Sequence, residues 1–306
     1  MARRKKNKNL KGIPAAIMLI LALIGGFAER GNLMERMSGE PAQNIADTVA
    51  TGQMKVTYLN VGQGDCTIIQ TEGHNAMIDA GNNHEGKDVV DYLNQQGIDK
   101  LDYLILTHPD ADHIGGGDDV LEKIEVEQVI MPDVANDTMT YEEVMDDIEK
   151  ENVPVEHPKV GEEFGFGDET FTELCPETDL DSSDDTNDAS VGIKLVHGEN
   201  SFVMCGDASE NSESAMVKRF GSALECDVLK CGHHGSRTST SEVFLKATNP
   251  TWAVISCGVD NSYGHPHQET LERLNNDDVQ VYRTDLLGTI IATSDGTNIS
   301  WFSEKE

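Results

Sequence analysis

Four side chains that can bind metal ions lie within six residues of this 306-residue sequence. They are His108, Asp110, Asp112 and His113, within the segment THPDADHIGG at 107–116. Imidazole nitrogen and carboxylate oxygen are ligands of Zn²⁺, and carboxylates also suit Mn²⁺. The segment follows an apolar run, so an extended loop at a strand end can turn all four side chains toward one point. This spacing predicts a centre for two divalent metal ions, Zn or Mn, rather than a solvated turn.

Further polar groups stand next to other apolar runs of the sequence. Asp207 comes after the run 201–205, and the pair His233 and His234 comes after the run 228–231. The remaining groups of this kind are Asn187 and Ser190 before Val191, Ser236 after the histidine pair, and Tyr263, His265 and His267 after Ser256. Because loops at the strand ends of one sheet edge converge, we expect these side chains to reach one cleft.

The elements that must position these groups are short apolar runs alternating with helical patterns from residue 54 onward. Closely spaced runs at 55–60, 65–70 and 76–79 predict a meander of antiparallel strands. Further strands are predicted at 101–106, 128–131, 171–174, 191–196, 201–205, 227–231, 252–256, 279–282, 289–293 and 298–302. Helices are predicted at 87–96, 141–150, 211–220, 241–247 and 268–275, with another opening at the glycines 115–117. Two groups of strands with interspersed helices predict an α/β fold of the αββα type, a sandwich of two sheets with helices on both outer faces.

The order of the motifs resembles the metallo-hydrolase domain of ComEC-type competence proteins, a branch of the metallo-β-lactamase superfamily. The motifs are NVGQGD (60–65), MIDAG (77–81), THPDADHIGG (107–116), CGD (205–207), LKCGHHGSRTSTS (229–241), YGHPH (263–267) and YRTDLLGTI (282–290). An aspartate in the place of the second histidine of the first metal-binding motif, here Asp110, marks this branch. The resemblance implies a metallo-β-lactamase sandwich and a metal-dependent hydrolase over residues 54–306.

The resemblance also implies which residues bind the metal ions. It makes His108 and Asp110 ligands of a first metal and Asp112 and His113 ligands of a second metal, with Asp207 bridging the two. Asp112 thereby belongs to the catalytic set as well as to the metal-binding set.

The remaining histidine ligand is left open between three candidates. His265 falls where the superfamily places its last metal-binding histidine, and one of His233 and His234 completes the site or contacts phosphate. His233 and His265 are also the candidates for the general acid, since imidazole titrates near physiological pH. Asn187 and Ser190 lie where other members have a further histidine, which implies an open position for water at the first metal.

Other polar residues have simpler interpretations. Asp79 is expected to hold the 108–113 loop by a hydrogen bond rather than to bind a metal. The run 179–188, which contains five Asp, is interpreted as a solvated loop rather than a calcium site. Ser239 and Glu242 have the spacing of a capping box at a helix start. Three residues are expected either to support the ligands or to contact substrate: Ser236, Tyr263 and His267.

The first 28 residues carry six basic and no acidic groups and end in the apolar run 13–28. This is the pattern of an export signal, and the small residues at 26–28 suit cleavage. Cleavage and retention as a membrane anchor both stay open, and the positive-inside rule places the rest of the chain outside the cytoplasm in either case. Residues 29–53 are predicted to be a linker. Neither the membrane channel nor the oligonucleotide-binding domain of competence proteins is predicted in this sequence.

Charge and cysteine content restrict the function further. Six of the 23 basic groups lie in the first 28 residues, so the remainder has 17 basic against 55 acidic groups, a net charge of −38. Such a domain gains little from counterion release, so tight non-specific binding to duplex DNA is not expected. Four of the six cysteines stand in or beside apolar runs, and no CxxC pair occurs, which predicts buried free thiols rather than disulfides. These four are Cys66, Cys205, Cys231 and Cys257.

The favoured function is a metal-dependent phosphodiesterase, membrane-anchored or secreted, that acts as a nuclease on single-stranded or extracellular DNA. Two metal ions suit phosphodiester cleavage because they activate water and stabilise both the phosphoryl and the leaving oxygens. Three alternatives use the same site: a phosphorylcholine esterase or other cell-envelope phosphodiesterase, a lactamase, and a lactonase. A non-catalytic binding module is least favoured because every ligand of the first motif is present. The sequence implies no protein partner, and the membrane is contacted only through an uncleaved N-terminal segment.

Overall fold

The structure is a computed structural model that describes residues 49–157, 159–176 and 186–305. The predicted export segment 1–28, most of the predicted linker 29–53 and most of the Asp-rich run 179–188 lie outside the described residues. Within the described ranges, no helix has the length and apolar character needed to cross a membrane.

The first sheet contains eight strands. Its strands are β1 (Met54–Tyr58), β2 (Thr67–Thr71), β3 (His74–Ile78), β5 (Tyr103–Ile105), β7 (Val129–Ile130), β8 (Val155–Glu156), β16 (Ile290–Ser294) and β17 (Ile299–Ser303). Their order is β17-β16-β1-β2-β3-β5-β7-β8. The meander β1-β2-β3 is antiparallel, as predicted, whereas β3, β5, β7 and β8 run parallel. Two further strands, β4 (Lys100–Leu101) and β6 (Glu125–Val126), pair with each other.

The second sheet contains seven strands. They are β9 (Glu163–Phe166), β10 (Glu169–Cys175), β11 (Gly192–His197), β12 (Asn200–Met204), β13 (Val228–Lys230), β14 (Trp252–Ile255) and β15 (Gln280–Arg283). Their order is β15-β14-β13-β12-β11-β10-β9. Strands β9 to β12 are antiparallel, whereas β12 to β15 are parallel. The ends of β12, β13 and β14 therefore meet at one edge of the sheet.

Helices cover the outer faces of the sandwich. They are α1 (Gly86–Gln95), α2 (Ala111–Ile114), α3 (Gly117–Lys123), α4 (Met139–Glu151), α5 (Glu210–Phe220), α6 (Glu242–Thr248), α7 (Gln268–Asn276) and α8 (Thr284–Leu287). Short 3₁₀ turns occur at Thr186–Ala189, Gly221–Leu224 and His233–Gly235. Residue 54, where the hydrolase domain was predicted to begin, is the first residue of β1.

The side chains of each strand point alternately to the two faces of its sheet, and this explains why the apolar core has three layers. In β2, Ile68 packs with α1, α3 and α4, whereas its neighbour Ile69 packs between the sheets. In β12, Phe202 packs between the sheets, whereas Val203 packs with α5, α6 and α7. Successive side chains of a strand point to opposite faces, so a doubly covered sheet needs apolar residues at both. The predicted αββα architecture is confirmed.

Three local predictions need correction. The predicted strand 101–106 is divided into β4 and β5 at Asp102, whose backbone N–H and carboxylate both bond Asn75. The segment 108–113 is only partly extended, because Ala111–Ile114 forms the helical turn α2. The helix predicted to start with a Ser239 cap is instead capped by Ser241, whose hydroxyl accepts from the Phe244 N–H. The short strands β6 and β8 were not predicted, because their sequences lack a recognisable hydrophobic pattern.

The functional loops lie where the two sheets meet. The backbone N–H of Val191, just before β11, donates to the carbonyl of Thr107, just after β5, at 2.8 Å. This bond joins the second sheet to the first beside the predicted metal-binding segment. The polar groups that follow β5, β12, β13 and β14 are consequently brought to one side of the sandwich.

All six cysteines are buried free thiols, which confirms the sequence-based prediction. Two of them, Cys175 and Cys205, approach each other over Gly192 of β11. A Cβ added to Gly192 would lie 2.4 Å from the Cys175 Sγ and 3.0 Å from the Cys205 Sγ. The glycine is therefore required by packing at this position.

We predict that Gly192→Ala lowers the free energy of unfolding by about 1–3 kcal/mol, because overpacking displaces both thiols. The measurement is denaturant unfolding under reducing conditions. The matched control is Gly165→Ala in β9, where an added Cβ meets nothing within 4 Å, and where we expect a change within about 0.5 kcal/mol. Equal free energies of unfolding for the two variants would show that the packing of Cys175 and Cys205 against Gly192 is wrong.

Candidate metal centre

Asp79, directly after β3, holds the start of the metal-binding segment. Its Oδ1 accepts from the Thr107 N–H at 2.8 Å, and its Oδ2 accepts from the Thr107 hydroxyl at 2.8 Å and from His113 Nδ1 at 2.8 Å. Because a carboxylate only accepts, His113 carries a proton on Nδ1, and Nε2 is the nitrogen that can bind a metal. Both oxygens of Asp79 are thus engaged, as its predicted supporting role requires.

His108 is buried and oriented by the same threonine. Its Nδ1 lies 3.1 Å from the Thr107 hydroxyl and 3.4 Å from the Ser190 hydroxyl. Since Thr107 gives its proton to Asp79, it accepts from His108 Nδ1, and the lone pair of His108 is on Nε2. Burial, followed by the neighbouring His113, lowers the pKa of His108 to about 4. His108 is therefore neutral at physiological pH, as a metal ligand must be.

Asp207 lies at the centre of the cluster, after β12. Its N–H donates to the Ser190 hydroxyl at 3.0 Å. The preceding Gly206 has a φ of +50°, and a Cβ there would lie 2.8 Å from the Thr107 hydroxyl oxygen. Asp207 Oδ1 lies 3.2 Å from His113 Nε2, and its Oδ2 lies 3.6 Å from the Nε2 atoms of both His233 and His234. One carboxylate therefore faces three imidazoles.

His233 and His234 form the 3₁₀ turn after β13, and both have left-handed φ values, +50° and +52°. His234 Nδ1 donates to the Ser256 carbonyl at 3.1 Å, so Nε2 is the nitrogen that can bind a metal. That Nε2 lies 3.3 Å from Asp112 Oδ2. His233 has a side chain that is 27% exposed. Its Nδ1 lies 3.4 Å from the Thr238 hydroxyl.

His265 lies in a loop that Asn261 closes. The Asn261 side chain donates to the carbonyls of Gly258 and His265 at 2.9 Å and 2.6 Å, and it accepts from the His265 N–H at 2.9 Å. The His265 ring is nearly parallel to that of Tyr263, with centroids 5.6 Å apart, and to that of His234, with centroids 6.1 Å apart. Its Nδ1 is buried without a hydrogen-bond partner. Burial and then His234 lower the pKa of His265 to about 4.

Asp110 and Asp112 form the more open side of the cluster. Their side chains are 37% and 29% exposed, whereas that of His108 is fully buried. Asp110 Oδ2 lies 3.8 Å from His108 Nε2, and its Oδ1 accepts from the Thr186 hydroxyl at 2.9 Å. These two carboxylates are therefore more accessible to solvent than the buried histidine His108.

The donor atoms fit a dinuclear metal site. Several buried atoms in this cluster have no hydrogen-bond partner, namely His108 Nε2, His113 Nε2, His234 Nε2 and Asp207 Oδ1. Leaving such an atom unsatisfied costs about 1–3 kcal/mol. One ligand atom each from Asp65, His113, Asp207 and His234 also lies within 4.8 Å of the others. Lone pairs that face one another are stabilised by cations between them.

The charges of the cluster also favour a metal site. Burial alone would lower the pKa of His113, but Asp207 and Asp79 outweigh it and raise this pKa well above its usual value. Burial alone would raise the pKa of Asp207, but His113 and His234 outweigh it and hold this pKa well below its usual range. These imidazoles supply the positive charge that the carboxylates need. Metal ions that supply it instead displace the imidazole protons.

The predicted site residues are largely brought together. The cluster itself contains His108, Asp110, Asp112, His113, Asp207, His233 and His234. The loop with Tyr263, His265 and His267 borders it through contacts of the His265 ring with the rings of His233 and His234. Ser190 contacts His108 and Asp207, whereas the Asn187 carbonyl accepts from the Ser190 N–H. Ser236 bonds Thr238 at 2.9 Å and so lies behind His233 rather than in the cluster.

Sequence analysis missed several residues that shape the site. They are Asp65, Thr107, Thr186, Lys230 and Asn261. Asp65 and Lys230 lie inside the quoted motifs NVGQGD and LKCGHHGSRTSTS, and Lys230 is a charged residue within an apolar run. The position of Lys230 within an apolar run could have indicated its role, because a charged strand side chain that faces the core needs a partner of opposite charge. Nothing in the sequence separates Thr186 or Asn261 from ordinary loop residues.

Two facing sheets with helices on their outer faces, and a His/Asp cluster at the strand ends, together are typical of one protein superfamily. A family profile described as the metallo-beta-lactamase superfamily matches residues 59–259. The chain belongs to this superfamily.

Among curated proteins, the chain is similar to proteins whose names refer to competence and recombination. It is 32% identical over 254 residues to ComE operon protein 3 of Bacillus subtilis, over 77% of this chain and 32% of that protein. It is 31% identical over 241 residues to Recombination protein 2 of Haemophilus influenzae, over 77% of this chain and 28% of that protein. It is 30% identical over 245 residues to Competence protein ComA of Neisseria gonorrhoeae, over 80% of this chain and 33% of that protein. The chain thus spans about a third of the length of these relatives.

Solved structures support the fold. CmlA, a diiron beta-hydroxylase from Streptomyces venezuelae, has a TM-score of 0.52 at 13% identity and covers 75% of this chain and 52% of its own. YhfI, a metallo-beta-lactamase fold protein from Bacillus subtilis, has a TM-score of 0.50 at 14% identity and covers 75% of this chain and 95% of its own. At these identities, the likeness concerns the fold alone.

The position of Asp207 between the imidazoles leads to a prediction about metal content. Asp207→Ala should lose both metal ions and all hydrolysis, because it removes the carboxylate that the family resemblance makes the bridge between the two metals. Asp79→Asn should weaken metal affinity or activity about 10–100-fold, with partial recovery in excess Mn²⁺ or Zn²⁺. The measurement is elemental analysis beside cleavage of bis-p-nitrophenyl phosphate.

The control for these two variants is His84→Ala. The His84 side chain is 76% exposed, and its Nε2 lies 3.0 Å from the carboxylate of its neighbour Glu85. We expect normal metal content and turnover for this variant. Retention of two metals per chain by Asp207→Ala would refute the arrangement of the site.

Proposed function

We propose that this protein is a metal-dependent phosphodiesterase of the cell envelope that cleaves DNA. The proposal depends chiefly on one observation, the approach of one buried carboxylate, Asp207, to the Nε2 atoms of three histidines at 3.2–3.6 Å. The names of the similar curated proteins, which refer to competence and recombination, favour a nucleic acid over other phosphodiesters.

The residues divide into two groups around Asp207. His108 and Asp110 would hold the first metal, and Asp112 and His113 would hold the second. We assign His234 to the second metal because its Nε2 lies 3.3 Å from Asp112 and because Ser256 fixes its proton on Nδ1. When bound, two divalent ions supply a nucleophilic water and stabilise the charge of the phosphoryl oxygens. Zn²⁺ and Mn²⁺ both suit these mixed nitrogen and oxygen ligands.

His233 is our candidate for the general acid. Its Nε2 faces Asp207, and its partly exposed side chain lies at the open side of the cluster, where a leaving group can receive a proton. His265 is more buried, and its pKa of about 4 leaves it unprotonated at neutral pH. His265 therefore suits a role as a lone-pair donor to a metal or a substrate hydroxyl better than a role as an acid.

The substrate we favour is single-stranded DNA. The net charge of −38 after residue 28 opposes tight binding of a duplex, which depends on neutralising many phosphates. Tyr263 beside His265 is 64% exposed, and an exposed aromatic ring next to a phosphodiester site can stack on an unpaired base. Asp207 and the histidines around it would hold the ions that bind the phosphate, and the Tyr263 ring would contact the base.

A panel of substrates tests this function on the Mn²⁺- and Zn²⁺-loaded protein. We expect hydrolysis of bis-p-nitrophenyl phosphate and faster cleavage of a labelled single-stranded oligonucleotide than of the same sequence as a duplex. p-Nitrophenyl phosphorylcholine and nitrocefin represent the esterase and lactamase alternatives. Preferential turnover of either would replace the proposal with that alternative. Asp207→Ala serves as the inactive control throughout the panel.

We also propose that the hydrolase domain lies outside the cytoplasm, either anchored or secreted. The six basic residues before the apolar run 13–28 support this location. The names of the competence relatives are compatible with a role at the cell envelope.

Reporter fusions after Gln53 test the location. An alkaline phosphatase fusion, active only outside the cytoplasm, should be active, and a β-galactosidase fusion at the same residue should be inactive. The control pair lacks residues 1–28 and should show the reverse pattern. High β-galactosidase activity of the longer fusion would overturn the proposed location.

A further inference from the structure

Lys230, the last residue of β13, is a buried cation beside the metal centre. Its side chain is only 4% exposed, and its Nζ contacts Asp65 Oδ2. Burial alone would lower the pKa of Lys230, but Asp65 outweighs it and raises this pKa, so the lysine stays charged. An ionised lysine in a protein interior is costly unless it is paired. Such a pair next to a functional cluster needs an explanation beyond packing.

Asp65 is fixed in place by its backbone. Its N–H donates to the Asp112 carbonyl at 3.1 Å, and its carbonyl accepts from the Gly81 N–H at 2.8 Å. The Gly64 Cα cannot carry a side chain, because an added Cβ would lie 2.5 Å from the Asp112 carbonyl oxygen. The 62–65 turn is therefore closely packed on the metal-binding segment, and the Asp65 carboxylate has little freedom.

The second oxygen of Asp65 faces His234. Asp65 Oδ1 lies 3.4 Å from His234 Nδ1, and the Nε2 of the same ring faces Asp112 and Asp207. Lys230, Asp65 and His234 thus form a row that leads to the metal ligands. The arrangement is similar to that of Asp79 and His113, in which a carboxylate also lies at Nδ1 and the cluster lies at Nε2.

Asp65 is close enough to the cluster to be considered a metal ligand itself, since it is one of four residues whose ligand atoms lie within 4.8 Å. Two contacts argue against that role. Its Oδ2 is held by Lys230, and its Oδ1 is on the Nδ1 side of His234, away from the Nε2 lone pair. Oδ2 could bind a metal only if Lys230 lost this partner, and a buried ammonium without a partner is unfavourable.

We infer that Asp65 and Lys230 are positioning residues for His234. Asp65, together with the Ser256 carbonyl, keeps the His234 proton on Nδ1 and directs Nε2 into the centre, and Lys230 keeps the Asp65 carboxylate in place. This inference depends on the proposed metal centre, because His234 acts there as a ligand. It does not depend on the identity of the substrate.

The charges of the site support a role for Lys230 in metal binding. Five carboxylates surround the centre: Asp65, Asp79, Asp110, Asp112 and Asp207. With neutral histidines and one ammonium, they leave four negative charges, the number that two divalent cations balance. Loss of Lys230 alone would leave a fifth, uncompensated charge in the interior.

The test compares Lys230→Met, Asp65→Asn and the double variant. Each single variant leaves one buried charge unpaired and should lower the Tm of the metal-free protein, whereas the double variant should recover much of that loss. Under our inference, the double variant still binds the second metal about 10–100-fold more weakly than the wild type, because His234 has lost its carboxylate partner. The affinity is measured by competition of Zn²⁺ with a chelator, without any substrate.

The matched control changes an exposed pair in the same way. Lys246 and Glu242 form an i,i+4 pair in α6 with side chains 60% and 69% exposed. Lys246→Met with Glu242→Gln should leave both Tm and zinc affinity unchanged. If the buried double variant recovered wild-type zinc affinity together with its Tm, Asp65 and Lys230 would be a structural ion pair only, and the inference would be wrong.

A second measurement needs no variant and applies even if the variants do not fold. In Zn²⁺-loaded protein with ¹⁵N-labelled histidine, long-range ¹H–¹⁵N spectra should show His234 protonated at Nδ1, with a slowly exchanging proton. A proton on Nε2 would overturn the inference. Loss of phosphodiesterase activity on all substrates, with normal zinc binding and this tautomer, would refute the proposed function and leave the inference standing.

Discussion

The concentration of carboxylates around Asp207 is the constraint on which the rest of the structure depends. Buried negative charges repel one another and lose their hydration, so they persist only beside positive charge. In the described protein, three imidazoles lie within 3.6 Å of Asp207, and Lys230 neutralises Asp65 behind them. The fold must therefore hold histidine nitrogens, carboxylates and one lysine at fixed distances before any cation binds. A rigid sandwich meets this requirement better than loops alone.

The sandwich meets it by joining its two sheets near the site. Thr107 connects them, since its carbonyl accepts from Val191 while its hydroxyl bridges Asp79 and His108. Gly206 allows the second sheet to approach this hydroxyl. A change in the packing between the sheets would consequently move His108 and Asp207 relative to each other. Core stability and metal geometry are coupled through this one residue, by its backbone carbonyl and its hydroxyl.

The sequence allowed prediction of the fold and of most cluster residues because their signals are local. Strands alternate in hydrophobicity over a few residues, and the first motif places four ligand types within six positions. Asp65 and Lys230 are 165 residues apart, so their contact depends on the packing of the two sheets. Likewise, the spacing of the motifs could not indicate whether His234 or His265 is the better candidate for a metal ligand. That choice depends on which ring nitrogen of His234 donates to the Ser256 carbonyl. Contacts between residues so far apart in the sequence are determined by tertiary packing, which local patterns in a single sequence do not predict.

The same electrostatics restrict how the proposed nucleic-acid substrate can be held. A surface with a net charge of −38 repels a phosphate backbone, and Arg237, which follows the histidine pair, lies 3.2 Å from Glu269. Under the proposed function, bound cations would provide the attraction for the reacting phosphate, and Tyr263 would provide apolar contact for a base. Affinity would then depend on metal occupancy more than on the number of phosphates contacted, in contrast to proteins that bind through counterion release. Such a site would favour short single-stranded segments, which present one phosphodiester and one unpaired base without bringing a second charged strand against an acidic surface.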